Sequence, residues 1–127
     1  MADTPYEDFI QRVRGARLVV VPLTNTTQYG AGCTAVLEAS AAGKAVVATR
    51  TMGTIDYVQD GVTGYLVPVG DVAAMRAAIS RLWHNPAWAA QMGRAGRTFV
   101  EDRFSPKQVN DGIRQALIAA AERRGVR

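Results

Sequence analysis

The sequence predicts an α/β fold: a Rossmann-like parallel sheet of about three short strands, with flanking helices and a helical C-terminal tail. Short β-branched runs alternate with helical segments, and this order gives parallel strands joined by right-handed crossovers. The strand segments are almost entirely apolar, as expected where helices cover both faces of a sheet. Three strands are few for so many helices, so we expect half of a larger domain.

The N-terminal half is expected to contain two helices and two strands. Asp3 or Thr4 can cap a first helix that opens at Pro5 and runs to Gly15, with its apolar residues on one face. The run 18–21 is β-branched and ends at a proline, as in a short buried strand. An apolar helix over about 32–42 is closed by a glycine, and 45–49 repeats the composition of a buried strand.

The C-terminal half is expected to contain one strand and three helices. Residues 55–59 are expected to form one helical turn, and glycine-containing turns precede a strand over 65–67. Asp71 is suited to cap the next helix, Pro86 opens another, and Ser105 caps the last. There are no internal repeats, low-complexity tracts or linkers.

Composition bounds the class of protein. The 127 residues, 48% hydrophobic and 20% charged, fit one globular domain and exclude disorder along the whole chain. The chain has a single cysteine, no apolar run of bilayer-spanning length and no signal peptide at its start, so we expect a cytoplasmic protein. The net charge of +4 is scattered, which favours solubility or an anionic ligand over nucleic-acid binding.

The most informative segment is 30–47, which reads GAGCTAVLEASAAGKAVV. Gly30 and Gly32 bracket the start of a helix, where free backbone N–H groups suit a phosphate or a sugar hydroxyl. Glu38, further along this helix, is suited to accept hydrogen bonds from a diol; the alternative is an ordinary surface carboxylate. The segment therefore predicts an anchor for a small phosphate- or hydroxyl-bearing molecule.

Two loops that follow predicted strands supply secondary candidates. The polar loop 24–32 includes Gln28, whose amide fits a hydroxyl-rich ligand or is simply solvated. In the second loop Gly53 makes a tight turn with Asp56 near it, and Arg50 and Lys44 either meet a phosphate or are solvated.

Nucleophilic and metal-assisted catalysis are not indicated. Cys33 fits a small core residue near a helix start, and the single histidine, His84, has the sequence context of an exposed helix end. A Cys/His pair is therefore not expected. No cluster has the spacing of metal ligands, so no metal or cofactor is expected.

The run VLEASAAGKAVVATRTMGTIDYVQDGVTGYLVPVGD, residues 36–71, is similar to the C-terminal nucleotide-sugar-binding domain of retaining GT-B glycosyltransferases of family four, the glycosyl transferases group 1. The matching positions are Glu38, Ala39, Gly43, Val46, Val47, Gly53, Asp60, Gly61, Gly64, Leu66, Val67 and Pro68. The helical tail resembles this family as well, including its final "FS" helix at Phe104 and Ser105.

The resemblance implies specific roles for the anchor segment. In this family the acid at the Glu38 position is the second of two glutamates separated by seven residues, and it binds the donor ribose. The first would fall at Gly30, so the usual contact to the transferred sugar is altered. Backbone amides from Ala31 through Gly32 and Cys33 to Thr34 would approach the sugar and diphosphate, and small residues there permit close approach.

The resemblance also implies what this chain contributes. Residues 1–127 would form a single partial donor-binding domain, without the acceptor domain or the upstream half that carries a basic pair for the diphosphate. The intact enzyme would transfer a sugar to an acceptor hydroxyl with retention and without a metal, and the isolated chain would be inactive. The alternative is a non-catalytic half-Rossmann module that binds nucleotide sugars weakly, or self-associates as a homodimer or by strand exchange through an exposed sheet edge. A flavodoxin-like receiver is disfavoured because the first strand lacks an acidic cluster.

Overall fold

The computed structural model describes residues 6–24, 32–104 and 118. Its elements in chain order are α1 (Tyr6–Gly15), β1 (Leu18–Val21), α2 (Cys33–Ala41), β2 (Ala45–Thr49), β3 (Gly64–Val67), α3 (Val72–Trp83) and α4 (Pro86–Arg103). Apart from the helical turn predicted over 55–59, the helices and strands predicted for these residues are present with nearly the predicted bounds. The start of the predicted first helix at Pro5, most of the loop 24–32 and nearly all of the predicted last helix lie outside the described residues.

The three strands form one sheet in the order β1-β2-β3, and their parallel pairing agrees with the prediction. In the register Val20 pairs with Val47, and Val47 pairs in turn with Tyr65. All five residues of the central strand β2 are buried, which explains its uninterrupted apolar sequence.

Helices cover both faces of this sheet. Alternate β2 side chains point to opposite faces: Val46 joins a core cluster with Val36 of α2, whereas Val47 joins a second cluster with Leu82 of α3 and Met92 of α4. None of the described helices has the length and apolarity needed to cross a bilayer.

Two glycines permit close backbone contact between elements. A Cβ atom on Gly93 would lie 2.0 Å from the carbonyl oxygen of Gly43, so α4 packs directly on the turn between α2 and β2. A Cβ on Gly64 would lie 2.2 Å from the carbonyl oxygen of Val46. Gly43 has a φ of 77° and ends α2 in the left-handed conformation that favours glycine.

The segment after β2 differs from the sequence prediction. Residues 52–57 form turns, and 58–59 are irregular, instead of one helical turn over 55–59. The hydroxyl of the fully buried Thr54 donates to the Thr49 carbonyl at 2.5 Å and accepts from the Thr51 N–H at 3.0 Å. These bonds fix the turns at 51–54, and further on the Gln59 N–H donates to the Thr63 hydroxyl at 3.0 Å instead of to a helical carbonyl.

The starts of α3 and α4 are capped by side chains. Asp71 accepts a hydrogen bond from the Ala74 N–H at 2.9 Å, as its position predicted. Asn85 accepts one from the Trp88 N–H at 3.1 Å, and Pro86 occupies the first turn of α4.

Candidate functional site

The residues that follow β1, β2 and β3, together with the start of α2, form one edge of the sheet, called here the carboxyl edge. A side-chain hydrogen bond joins its parts: the Leu23 N–H after β1 donates to Thr49 Oγ1 at the end of β2, over 2.8 Å. Open parallel sheets bind ligands beyond the carboxyl ends of their strands. The carboxyl edge is therefore the expected location of a ligand site.

The start of α2 requires glycine at position 32. Gly32 has a φ of 79°, and a Cβ there would lie 2.9 Å from Leu23 Cδ1 and 3.0 Å from Val21 Cγ1. A side chain would thus collide with the end of β1 and would strain the backbone. The glycine that the sequence indicated has a demonstrable structural role at this helix start.

No side chain of the described residues caps α2. The backbone hydrogen bonds of the helix begin with the Val36 N–H, which donates to the Gly32 carbonyl at 3.0 Å. The N–H groups of the half-buried Cys33 and the exposed Thr34 precede that bond, at the positive end of the helix dipole. They can meet an anion or a hydroxyl oxygen.

Glu38 lies on the same face of α2 as Thr34, one turn further along, because residues four apart are neighbours on a helix. Its position is about 9 Å from Gly32 along the axis at the usual helical rise. Glu38 is half-buried, and within the described residues its carboxylate has no hydrogen bond or ion pair. This degree of burial is compatible both with a carboxylate that contacts a ligand and with an ordinary surface carboxylate. Because the carboxylate has no described partner, it is available to a ligand.

Arg50 is neither a free cation nor merely solvated. Its Nη2 donates to Asp60 Oδ2 over 3.3 Å, in an ion pair whose side chains are both about half exposed. The other oxygen of Asp60 accepts the Leu66 N–H at 3.0 Å, so this carboxylate links Arg50 to β3. An exposed pair of this kind is weak, and an incoming phosphate can compete for Arg50.

The remaining candidates in the second loop differ in exposure. Gly53 is buried in the turn region, and its N–H donates to Thr51 Oγ1 at 3.2 Å. Asp56 is exposed and has no hydrogen bond or ion pair within the described residues. Gln28, Gly30 and Ala31 lie outside the described residues, so their predicted contacts stay predictions.

Two cavities open at the carboxyl edge. One of about 250 Å³ lies between the ends of the strands and the start of α3, with Leu23, Thr49 and Val72 among its lining residues. Another, of about 220 Å³, is lined by Arg50, Thr51, Met52 and Ile55.

Neither cavity includes the candidates on α2. Among the described candidates, Arg50 alone lines one of these two cavities. Thr49 and Thr51 line these cavities although neither was a predicted site residue; a threonine at the end of an apolar strand was the signal in the sequence.

The expected absence of a Cys/His pair agrees with the topology. Cys33 begins α2 at the carboxyl edge, whereas the exposed His84 follows α3, which runs back to the opposite end of the sheet. Among the described residues no group of three or more histidine, cysteine, aspartate or glutamate side chains is placed to hold a metal ion.

Comparison with known families decides the identity of the fold. Residues 2–99 match the family Glycosyl transferases group 1. The chain belongs to this family. The match spans more than half of the chain, including the three described strands and α2, and confirms the predicted resemblance at the level of the family and its α/β fold.

Individual group 1 relatives match parts of the chain. It is 33% identical over 117 residues to a D-inositol 3-phosphate glycosyltransferase of Saccharomonospora viridis, covering 89% of this chain and 26% of that protein. It is 46% identical over 68 residues to a GDP-mannose-dependent phosphatidylinositol monomannoside mannosyltransferase of Mycolicibacterium smegmatis, covering 54% and 18%. The chain therefore spans about a quarter of the length of the first relative, 26%, and less than a fifth of the second, 18%.

The fold of this group 1 chain also matches solved structures. The Anabaena protein HepE, solved in complex with UDP-glucose, superposes with a TM-score of 0.77 at 24% identity. The match covers 86% of this chain and 29% of that one. At this identity the likeness establishes the Rossmann-like architecture alone.

Proposed function

We propose that this chain forms the donor-binding part of an enzyme that transfers a sugar from a nucleotide sugar to an acceptor hydroxyl, with retention of configuration. The observation that carries the proposal is the uncapped start of α2, with the unpartnered carboxylate of Glu38 on the face of Thr34. Membership of the group 1 family supports the class of reaction. UDP-glucose bound to HepE and the GDP-mannose dependence of the mycobacterial relative support a nucleotide sugar as the ligand.

The geometry of α2 suits two parts of such a donor. The N–H groups of Cys33 and Thr34 bind the sugar or the diphosphate, where the helix dipole stabilises negative charge. Glu38, about 6 Å beyond Thr34 along the axis, accepts hydrogen bonds from the ribose hydroxyls. Gly30 stands where the family has its first glutamate, so other groups hold the transferred sugar.

The proposed donor part has no metal and no cofactor, since charge on the departing diphosphate is stabilised in this family by basic side chains. We propose that those side chains and the acceptor domain are absent from the 127 residues, and that this chain alone binds donor without transferring sugar. The coverage of the relatives, 26% or less, supports this view. A cytoplasmic location stays a prediction from the sequence.

Thermal unfolding in the presence of UDP-glucose, GDP-mannose or ADP-glucose tests donor binding. A ligand that binds only the folded chain, at a hundred times its Kd, stabilises it by about 2.7 kcal/mol and raises Tm. Free glucose and free mannose serve as controls that lack the nucleotide. If none of the three nucleotide sugars raises Tm more than its free sugar does, the donor-binding proposal is wrong.

The second candidate function is self-association, and one observation favours it. Among the described strands β1 has a free edge, and three of its four residues are only half-buried, whereas β2 is wholly buried. An exposed strand edge can pair with another chain. A concentration-dependent dimer in light scattering, without any nucleotide-dependent change in Tm, would favour this candidate; a monomer stabilised by a nucleotide sugar would reject it.

A further inference from the structure

A cavity at the opposite end of the sheet has a different chemical character. It has a volume of about 260 Å³ and lies among the residues that precede β1, those that precede β2, and the first half of α4. We call it the amino-end cavity; its charged lining residues are Arg17, Lys44 and Arg94.

The amino-end cavity has three cations and no acidic lining residue. Within the described residues, Lys44 and Arg94 have no hydrogen bond or ion pair from their side chains. The described ion pairs lie elsewhere, at Arg50 and at Arg97. The positive charge of the cavity is therefore not neutralised by any described carboxylate.

Arg17 is held in place by the end of α3. Its guanidinium carbon lies 4.3 Å from the centroid of the Trp83 ring, and its Nη1 donates to the Trp83 carbonyl at 3.4 Å. Stacking of this kind orders an arginine without neutralising it, so the remaining donors of the guanidinium stay available.

Helix ends do not explain the charge of this cavity. The N-terminus of α4 begins at Pro86 with a positive pole, but the C-terminus of α2 lies just before Gly43 with a negative pole. The two partial charges oppose one another. The field in the cavity is consequently set by its three side chains.

We propose that the amino-end cavity binds a phosphate group through Arg17, Lys44 and Arg94. Arginine and lysine are the usual partners of phosphate oxygens. The cavity, of about 260 Å³, presents three cationic side chains and no acidic one, which favours an anionic ligand. Free pyrophosphate and the headgroup of an anionic phospholipid both carry this chemistry.

The first arm of the test measures Tm of the full chain with pyrophosphate, against sodium chloride of equal ionic strength. The variants are Arg94→Gln and Lys44→Gln, and the matched control is Arg76→Gln, which removes the same charge from an exposed position on α3 outside the cavity. We expect each cavity variant to weaken pyrophosphate binding about three- to tenfold. Arg76→Gln is expected to bind pyrophosphate like the unmodified chain.

The second arm measures co-sedimentation with phosphatidylcholine vesicles, with and without phosphatidic acid. Binding to the acidic vesicles that is lost in Arg94→Gln but kept in Arg76→Gln supports the proposal, with a lipid as the source of the phosphate. A pyrophosphate effect with the same pattern supports it with a soluble source. If neither probe binds, or if Arg76→Gln loses as much binding as Arg94→Gln, the amino-end cavity is not a phosphate site.

Discussion

Glu38 is the one charged residue of α2, whose sequence is CTAVLEASA. Its neighbours Val36 and Ala39 are buried in the core, with exposed fractions of 0% and 1%. Glu38 lies between them in sequence but faces away, half-buried and without a described partner. A half-buried carboxylate can stay hydrated in the free protein, so its desolvation costs little free energy. When a ligand binds, the same carboxylate can accept hydrogen bonds from the ligand hydroxyl groups.

The substitution Glu38→Gln tests its proposed role at the ribose. Hydrogen bonds to charged groups contribute about 1.5–3 kcal/mol, so loss of the charge is expected to weaken nucleotide-sugar binding by about tenfold or more. Isothermal titration calorimetry would measure the change. Glu7→Gln, which alters an exposed acid on α1, is the control and should leave affinity unchanged. Equal affinities for Glu38→Gln and the unmodified chain would remove Glu38 from the site.

Two glycines of α4 provide a matched pair for testing close packing. Gly93→Ala would place a Cβ 2.0 Å from the Gly43 carbonyl oxygen, which forces backbone movement, and we expect a loss of about 3 kcal/mol in the free energy of unfolding. Gly96→Ala would meet its nearest atoms at 3.5 Å, an ordinary contact, and gains up to about 1 kcal/mol of helix propensity. Urea denaturation of both variants measures the difference; similar stabilities would contradict the described packing of α4 against Gly43.

At the scale of elements, hydrogen bonds between strand ends and turns connect the segments of the carboxyl edge. The hydrogen bond from Leu23 to Thr49 joins the exits of β1 and β2, and Thr54 ties the following turns back to β2. Asp60 joins that loop to β3 through the Leu66 N–H. These bonds hold the segments around the edge cavities while leaving the start of α2 uncapped.

The start of α3 depends on its cap. Asp71→Ala removes the acceptor of the Ala74 N–H and is expected to destabilise the chain by about 1 kcal/mol, measured by urea denaturation. Asp71→Asn keeps a side-chain oxygen able to cap and should retain most of the stability. If alanine and asparagine were equally destabilising, a role of the carboxylate charge would replace capping as the explanation.

At the scale of the molecule, the sheet contains three described strands, and the chain covers 18% and 26% of the two enzymes compared with it above. Donor binding requires only one edge of a sheet, whereas transfer also requires an acceptor placed against the donor. We therefore expect this chain to bind the donor without catalysing sugar transfer.

Turnover by the 127-residue chain is expected to be indistinguishable from a blank without protein. Release of nucleoside diphosphate from UDP-glucose and GDP-mannose, followed by chromatography, measures it. Detectable release that disappears in Glu38→Gln would show that this chain carries the catalytic groups itself, against our proposal.

The sequence by itself determined the order of elements, the parallel sheet, the cap at Asp71 and the glycine at the start of α2. These features depend on local patterns: apolar runs of strand length, helical periodicity and residues with special backbone preferences. The prediction was wrong at 55–59, where the structure has turns and the Gln59 N–H donates to the Thr63 hydroxyl instead of to a helical carbonyl. The proposed contacts of Glu38 came from the family resemblance and stay predictions.

Only the tertiary structure decided which distant residues meet. Arg17 stacks on Trp83, 66 positions away, and Gly93 packs against Gly43 because strand register and helix crossing bring them together. The pairing of Arg50 with Asp60 likewise depends on how the loop after β2 returns to β3. Such contacts leave no periodic signal in the chain, since they arise from packing between elements whose separation in sequence is arbitrary.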